Sequence, residues 1–280
     1  MAAVAELLRS HMPADQSDWL DLAQTLGQGK LRERAARMDE ENRFPFENYD
    51  DLRQSGLLGL TVPKEYGGGG VDSVTYVGVL TEISQGCAST GLTFNMHCAI
   101  IDFLSQIASP NQKKKYFHEV VDEGAVLASI TSEPASSFRD VFRVKTQIVQ
   151  DDDGYRLNGT KSWCSLSTAA RYYFTWSRLK NSETLADGLL NVMVPSDRPS
   201  IEIMDDWDTL GMRATASNSI KFDNVRLEQD EVIGEPGVIL TKDLSFWSLG
   251  FTGVYVGIAE AAYAYCLEHA RTQLGYFEED

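Results

Sequence analysis

Two short stretches carry the residue types that could do chemistry together: Ser132-Glu133-Pro134, and Asn158-Gly159-Thr160-Lys161-Ser162-Trp163-Cys164-Ser165. A hairpin separates them, so two strands end in hydroxyl and aromatic groups. Such ends can hold one flat ring, with hydroxyls along its polar edge and an indole against its face.

The chain has 280 residues, 43% hydrophobic and 24% charged, long enough to bury one large core or two smaller ones. Forty-one acidic residues against 25 basic give a formal charge of -16. That balance repels polyanions and argues against nucleic acid or anionic membrane surfaces as partners. No apolar run approaches the length of a bilayer span, and the N-terminus lacks a basic region followed by an apolar one. The expectation is a cytoplasmic protein with neither a membrane helix nor a signal peptide. Cys87, Cys98, Cys164 and Cys266 lack metal-ligand spacing, and His11, His97, His118 and His269 are scattered. Reduced thiols are expected, and metal catalysis is set aside.

The first 125 residues or so read as helices. Trp19, Leu22, Ala23 and Leu26 recur at helical spacing, and a second helix follows Pro45 and stops near Gly56. Gly67 to Gly70 lack the Gly-Lys-Ser/Thr of a phosphate loop and read as a turn. Asp72 can cap the helix after them, an apolar helix runs from about Ser89 to Ile107, and Ser109-Pro110-Asn111-Gln112 is a capping box. After Gly124 the period becomes two. Seven short runs rich in β-branched and aromatic residues extend to Val225, with Asp151 to Gly154 and Asn158-Gly159 as the clearest turns, which implies an antiparallel β domain. From about Leu240 the helical pattern returns, and one or two helices cannot bury their own faces. The fold class is α+β: a helical domain over 1–125, a central antiparallel β domain over 126–238 and the start of a C-terminal helical bundle over 239–280.

That order, and five motifs within it, resemble the acyl-CoA dehydrogenase family. Leu57-Leu58-Gly59-Leu60-Thr61-Val62-Pro63-Lys64-Glu65-Tyr66-Gly67-Gly68 resembles the family's G-L-x-G-x-x-V-P-x-E-Y-G-G. Ser132-Glu133-Pro134 resembles T/S-E-P, and the stretch from Asn158 to Ser165 resembles N-G-x-K-x-W-I-T. Leu210-Gly211-Met212-Arg213-Ala214-Thr215 with Phe222-Asp223-Asn224-Val225 resembles L-G-x-R-x-S and F-x-x-V. Arg271-Thr272-Gln273-Leu274-Gly275 resembles R-x-x-F-G.

The resemblance implies FAD, held by Ser132, Trp163, Cys164 and Ser165. Ser132 would face the pyrimidine edge, Ser165 would replace the threonine that donates near N5, and Trp163 would pack on the ring. Arg271 would reach the FAD pyrophosphate of a neighbouring subunit, making a homo-oligomer. The implied reaction is α,β-dehydrogenation of an acyl-CoA thioester in fatty acid metabolism, with electrons passed to a carrier protein or other electron-transfer acceptor.

Departures from the pattern matter too. Where the family has G-A-G-S-D this chain has Ala135-Ser136-Ser137-Phe138-Arg139-Asp140. Ser136 or Ser137 could take over the substrate contact and Arg139 could meet a phosphate, while surface or strand-edge roles serve as well. No carboxylate occupies either of the family's two base positions: one lies beyond Asp280, and the other falls on Trp247. As a complete chain it is expected to be catalytically incomplete. His97 is either a structural histidine or part of histidine-assisted chemistry, as in the flavin monooxygenases that resemble this family. A non-catalytic flavin-binding subunit completed by another chain is the remaining alternative.

Overall fold

The computed structural model describes residues 2–134, 143–152 and 154–273. Ser136, Ser137 and Arg139 lie outside the described residues, as do Leu274 and Gly275 of the last motif.

Among the described residues, seven α-helices precede the sheet: α1 (Ala2–His11), α2 (Ser17–Leu26), α3 (Arg32–Glu40), α4 (Phe46–Gln54), α5 (Ser73–Gly86), α6 (Ala88–Ile107) and α7 (Pro110–Glu123). Their starts follow local chemistry. Asp72 accepts from the Thr75 amide at 2.8 Å, and Ser109 and Gln112 exchange both bonds of a capping box with Pro110 at the first helical position. The glycine run folds back as a turn, with Gly69 donating to the Gly59 carbonyl and Gly70 to that of Val62.

Eight strands follow among the described residues: β1 (Leu127–Ile130), β2 (Gln147–Asp151), β3 (Gly154–Cys164), β4 (Tyr172–Leu179), β5 (Leu189–Pro195), β6 (Ile201–Ile203), β7 (Asn218–Leu227) and β8 (Val232–Ile233), with the short helix α8 (Leu185–Gly188) before β5. They form one sheet in the order β6-β7-β3-β2-β4-β5-β8, with β1 also against β4.

The sheet is mixed, which corrects the antiparallel expectation. Leu127–Ile130 pair in parallel with Tyr172–Thr175, and Gln147 and Ile148 pair in parallel with Arg178 and Leu179. Thus β1 and β2 lie along the same edge of β4, and the chain leaves the sheet between them. Ser132-Glu133-Pro134 sit in that excursion. Alternation shows which face a residue takes; strand direction depends on the connection, to which alternation is blind.

The Asn158-Gly159 turn is also corrected. Both residues lie inside β3, where the register against β7 shifts between Leu157 and Gly159. Gly159 has φ +151, and a Cβ there would meet Thr146 Oγ1 at 2.6 Å. An Asn-Gly pair makes a hairpin only if its flanks pair with each other; here they pair with β2 and β7, so the glycine becomes a bulge. Gly159→Ala is expected to cost about 1–3 kcal/mol through strain and overlap. Urea unfolding would check this, and an unchanged midpoint would remove the close-approach argument.

Alternate residues of β4 enter different cores. Tyr172, Phe174 and Trp176 pack with Ile100, Phe103 and Leu104 of α6 and Phe117 of α7, whereas Tyr173 joins Ile148, Leu157 and Val192 on the other face. Each such buried side chain contributes about 1.5–3 kcal/mol.

The last described helix, α9 (Ser245–Gln273), packs on α5 and α6. Cβ atoms at Gly253 and Gly257 would stand 2.8 and 2.3 Å from the Val77 and Thr81 carbonyl oxygens, so these glycines let the backbones close up. Its other face leaves Tyr255, Tyr263 and Tyr265 exposed. Among the described residues no helix is long and apolar enough to cross a membrane, and no group of His, Cys, Asp and Glu could hold a metal. Cys87, Cys98 and Cys164 are buried free thiols, and Cys266 is exposed.

Candidate functional site

The two motifs meet through a backbone bond and a buried ion pair. The Ser162 amide donates to the Ser132 carbonyl at 3.0 Å. One residue along on each stretch, Lys161 Nζ lies 2.9 Å from Glu133 Oε1 and also donates to the Thr131 carbonyl at 3.2 Å. The Glu133 carboxylate accepts the Lys145 amide at 2.8 Å and the Thr146 amide at 2.9 Å. It therefore closes the excursion that β1 opened, and both charged side chains are buried. Burial holds the Lys161 ammonium below its ordinary range even with the carboxylate beside it. For Glu133, burial pushes upward, but Lys161 and the two amides outweigh it and leave the carboxyl below its usual range.

Sequence reading passed over this pair. The available signal was charge: each motif carries one charged residue, of opposite sign, Glu133 and Lys161, directly beside Ser132 and Ser162, whose backbones pair.

Trp163 is 62% exposed at the end of β3, with φ +62. A left-handed conformation is costly for a bulky side chain, and it recurs nearby at Leu166 (φ +70), Met212 (φ +58) and Ala216 (φ +45). The cluster forms because the chain after β3 runs against the loop before β7. Leu166 donates to the Thr215 carbonyl at 3.0 Å, and Ser167 donates to the Ala216 carbonyl from its amide at 3.2 Å and its hydroxyl at 2.6 Å. Arg213 ties that loop to the Asp39 carbonyl at the end of α3, at 2.9 Å.

Ser165 is buried behind Trp163, its hydroxyl 2.9 Å from Ser217 Oγ. Ser217 Oγ is 2.7 Å from Thr215 Oγ1, which donates to the Met212 carbonyl at 2.9 Å. That carbonyl also accepts the Trp207 indole N–H at 3.2 Å and the Thr215 amide at 3.1 Å. The structure thus brings together Ser132, Trp163 and Ser165 at two adjacent chain ends. It directs the Cys164 side chain into the core, where burial pushes its thiol up, so a ring beside this strand would meet Cys164 through its backbone. Arg271 is exposed in the last turn of α9.

His97 sits on α6, fully buried, and both ring nitrogens are engaged. Nε2 is 2.9 Å from the Leu58 carbonyl, and Nδ1 accepts the Leu127 amide at 3.0 Å, which fixes the neutral Nε2–H tautomer. The ring ties the turn after α4 to the start of β1. Burial lowers its pKa to about 4, with the Leu58 bond opposing the shift. Because the folded value lies below the unfolded one near 6.5, the contribution is present above pH 6.5 and is lost as pH falls towards 4. A chemical unfolding series is expected to lose roughly 3 kcal/mol across that window through His97. His97→Phe should start less stable and show a flatter acid limb; an unaltered limb would refute this assignment.

Trp247 lies in the first turn of α9, packed against the core that holds Phe174 and Trp176. Its ring stands 5.6 Å from that of Phe251, which in turn is 6.0 Å from Tyr255. Trp247, Phe251 and Tyr255 thus form an aromatic ladder along the start of α9.

The sequence profile described as acyl-CoA dehydrogenase, N-terminal domain, matches residues 13–123, and the middle-domain profile matches residues 128–225. Dibenzothiophene monooxygenase of Rhodococcus erythropolis is 31% identical over 253 residues, covering 87% of this chain and 60% of that protein. The mitochondrial short-chain specific acyl-CoA dehydrogenase of Rattus norvegicus is 28% identical over 243 residues, covering 85% of this chain and 58% of that protein. The crystal structure of FMN-bound TdsC from Paenibacillus sp. A11-2 superposes with a TM-score of 0.84 at 29% identity, covering 91% of this chain and 66% of that one. The chain thus spans about 60% of the length of the curated relatives it matches. With the N-terminal profile matched across the helices and the middle-domain profile across the sheet that carries Ser132 and Trp163, the chain belongs to the acyl-CoA dehydrogenase family.

Proposed function

We propose that this chain is the flavin-holding part of an oxidoreductase, with FAD as the flavin its family resemblance implies. The observation that carries the reading is Trp163. A large indole held exposed at φ +62 is costly for the fold alone, and strain of this kind gathers where a ligand is received. The neighbouring groups fit a flavin: Ser132 and Ser165 offer hydroxyls for its polar edge, the indole offers a face, and the buried Glu133–Lys161 pair holds the two chain ends in register. Bound there, a flavin supplies two-electron redox chemistry. Ser165 would hold a proton towards or away from the ring, Trp163 would keep water from one face, and Arg271 would meet the cofactor's phosphates across a homo-oligomer interface.

Between the two reactions its relatives carry out, the reading adopted is monooxygenation of a small, flat apolar substrate. It is supported by the 31% identical dibenzothiophene monooxygenase and by the superposition on FMN-bound TdsC. Dehydrogenation of an acyl-CoA thioester needs a base over the substrate. That second reading, with electrons passed to an acceptor protein, keeps the support of the 28% identical short-chain relative.

The test begins with the purified 280-residue chain titrated with FAD and with FMN while Trp fluorescence is followed. Saturable quenching is expected, and its absence would end the flavin reading. The loaded protein is then mixed anaerobically with butyryl-CoA, where no bleaching of the flavin band is expected. Reduced chemically and exposed to oxygen with indole or dibenzothiophene, it should yield oxygenated product. Bleaching with formation of an enoyl-CoA would decide for dehydrogenation.

A further inference from the structure

We infer that Ser165, Ser217 and Thr215 form a reversible hydroxyl chain that lets Ser165 act as donor or acceptor towards the flavin, and that Thr215 sets its resting direction. This rests on the flavin reading above. The distances run 2.9 Å from Ser165 Oγ to Ser217 Oγ, 2.7 Å to Thr215 Oγ1 and 2.9 Å to the Met212 carbonyl. All three residues are buried.

Each hydroxyl has one proton, so the chain has one direction at a time. Thr215 donates to the Met212 carbonyl, Ser217 must then donate to Thr215, and Ser165 donates to Ser217. The outward side of Ser165 is left as an acceptor. In the opposite direction Thr215 donates to Ser217, Ser217 to Ser165, and Ser165 donates outward. The second direction loses the Thr215 hydroxyl bond to the Met212 carbonyl. That oxygen still keeps the Trp207 indole N–H and the Thr215 amide, one for each lone pair. Reversal therefore strands no buried polar atom. No proton changes owner, since three O–H bonds rotate and none breaks.

The consequence concerns the two redox states. The central ring nitrogen of an oxidised flavin accepts a hydrogen bond, and that of a reduced flavin donates one. The chain can answer both, and its resting direction favours the reduced ring by the extra bond to Met212. Thr215 is a positioning residue here, acting through Ser217 on Ser165.

Thr215→Val keeps the shape and removes the terminal hydroxyl. Ser217 must then donate to Ser165, which turns Ser165 outward as a donor and favours the oxidised ring. The ratio of reduced to oxidised flavin affinity is expected to fall roughly threefold to tenfold, the worth of one net hydrogen bond. For a two-electron couple this lowers the midpoint potential of the bound flavin by about 15 to 30 mV. Thr215→Ser should restore the wild-type potential. In a Ser165→Ala background, Thr215→Val should produce no further shift, whereas a packing effect would persist.

The measurement is the potential of the bound flavin by dye-coupled reduction in the wild type and the four variants, with thermal melting to confirm that each folds. An unshifted potential in Thr215→Val, or the same shift with and without Ser165, overturns the hydroxyl chain and leaves the flavin reading standing. Failure of the unaltered chain to bind FAD or FMN removes the flavin reading, and the chain's role with it.

Discussion

Lys161→Met is expected to destabilise the chain by about 3–5 kcal/mol, a large share of the stability of a domain this size. The substitution removes the Lys161 ammonium from beside the buried Glu133 carboxylate, which also accepts the Lys145 and Thr146 amides. Glu133→Gln should cost nearly as much by stranding the ammonium, while the double variant should recover most of the loss, since a neutral pair no longer carries a buried charge. Urea unfolding of the four proteins gives the coupling, and additive losses would show that the charges do not act as a pair. The pH dependence has a definite sign. The Glu133 carboxyl lies below its unfolded value near 4.5, so its contribution is complete above that value and is lost as pH falls through the lower folded one. The acid limb of the wild-type stability profile should therefore flatten in the double variant.

The second large effect is expected at Trp163, where fold and function should part. Trp163→Gly relieves a left-handed indole that is mostly exposed, so stability should hold or rise by up to about 1 kcal/mol. Flavin affinity should fall roughly tenfold to a hundredfold with the loss of a stacking face. Calorimetric titration with FAD measures the second quantity and thermal melting the first. Equal affinity in the variant would mean that the exposed indole does not serve the ring. A fall in stability matching the fall in affinity would mean that Trp163 is a structural residue.

How much of this was legible beforehand varied from element to element. The Ser109 capping box and the Asp72 cap depend on groups three residues apart, and both stand where the sequence put them. The strand runs were visible because alternation follows from the pleat; the very short β8 has too few residues to show it. The Asn158-Gly159 pair misled because its flanks have other partners: Asn158 Oδ1 accepts the Asn224 amide at 2.8 Å, holding β7 beside the bulge. The parallel pairing of β1 and β2 with β4 was invisible for the same reason, since pairing partners are not written in either strand.

The chain order of the two opening stretches, and their resemblance to a family, came from the sequence by itself. It marked Ser132, Trp163 and Ser165 as groups able to hold a flat ring. Only the tertiary structure decided what fixes those groups in place. Glu133 and Lys161 are 28 residues apart, and Ser165 and Ser217 are 52 apart, yet each pair is within hydrogen-bond distance. Buried charges and hydroxyls need partners because water is excluded, and which partner arrives is settled by how the strands pair. Local pattern specified the ends of the strands, and long-range packing supplied the ion pair, the hydroxyl chain and the left-handed turn that expose Trp163 at their edge.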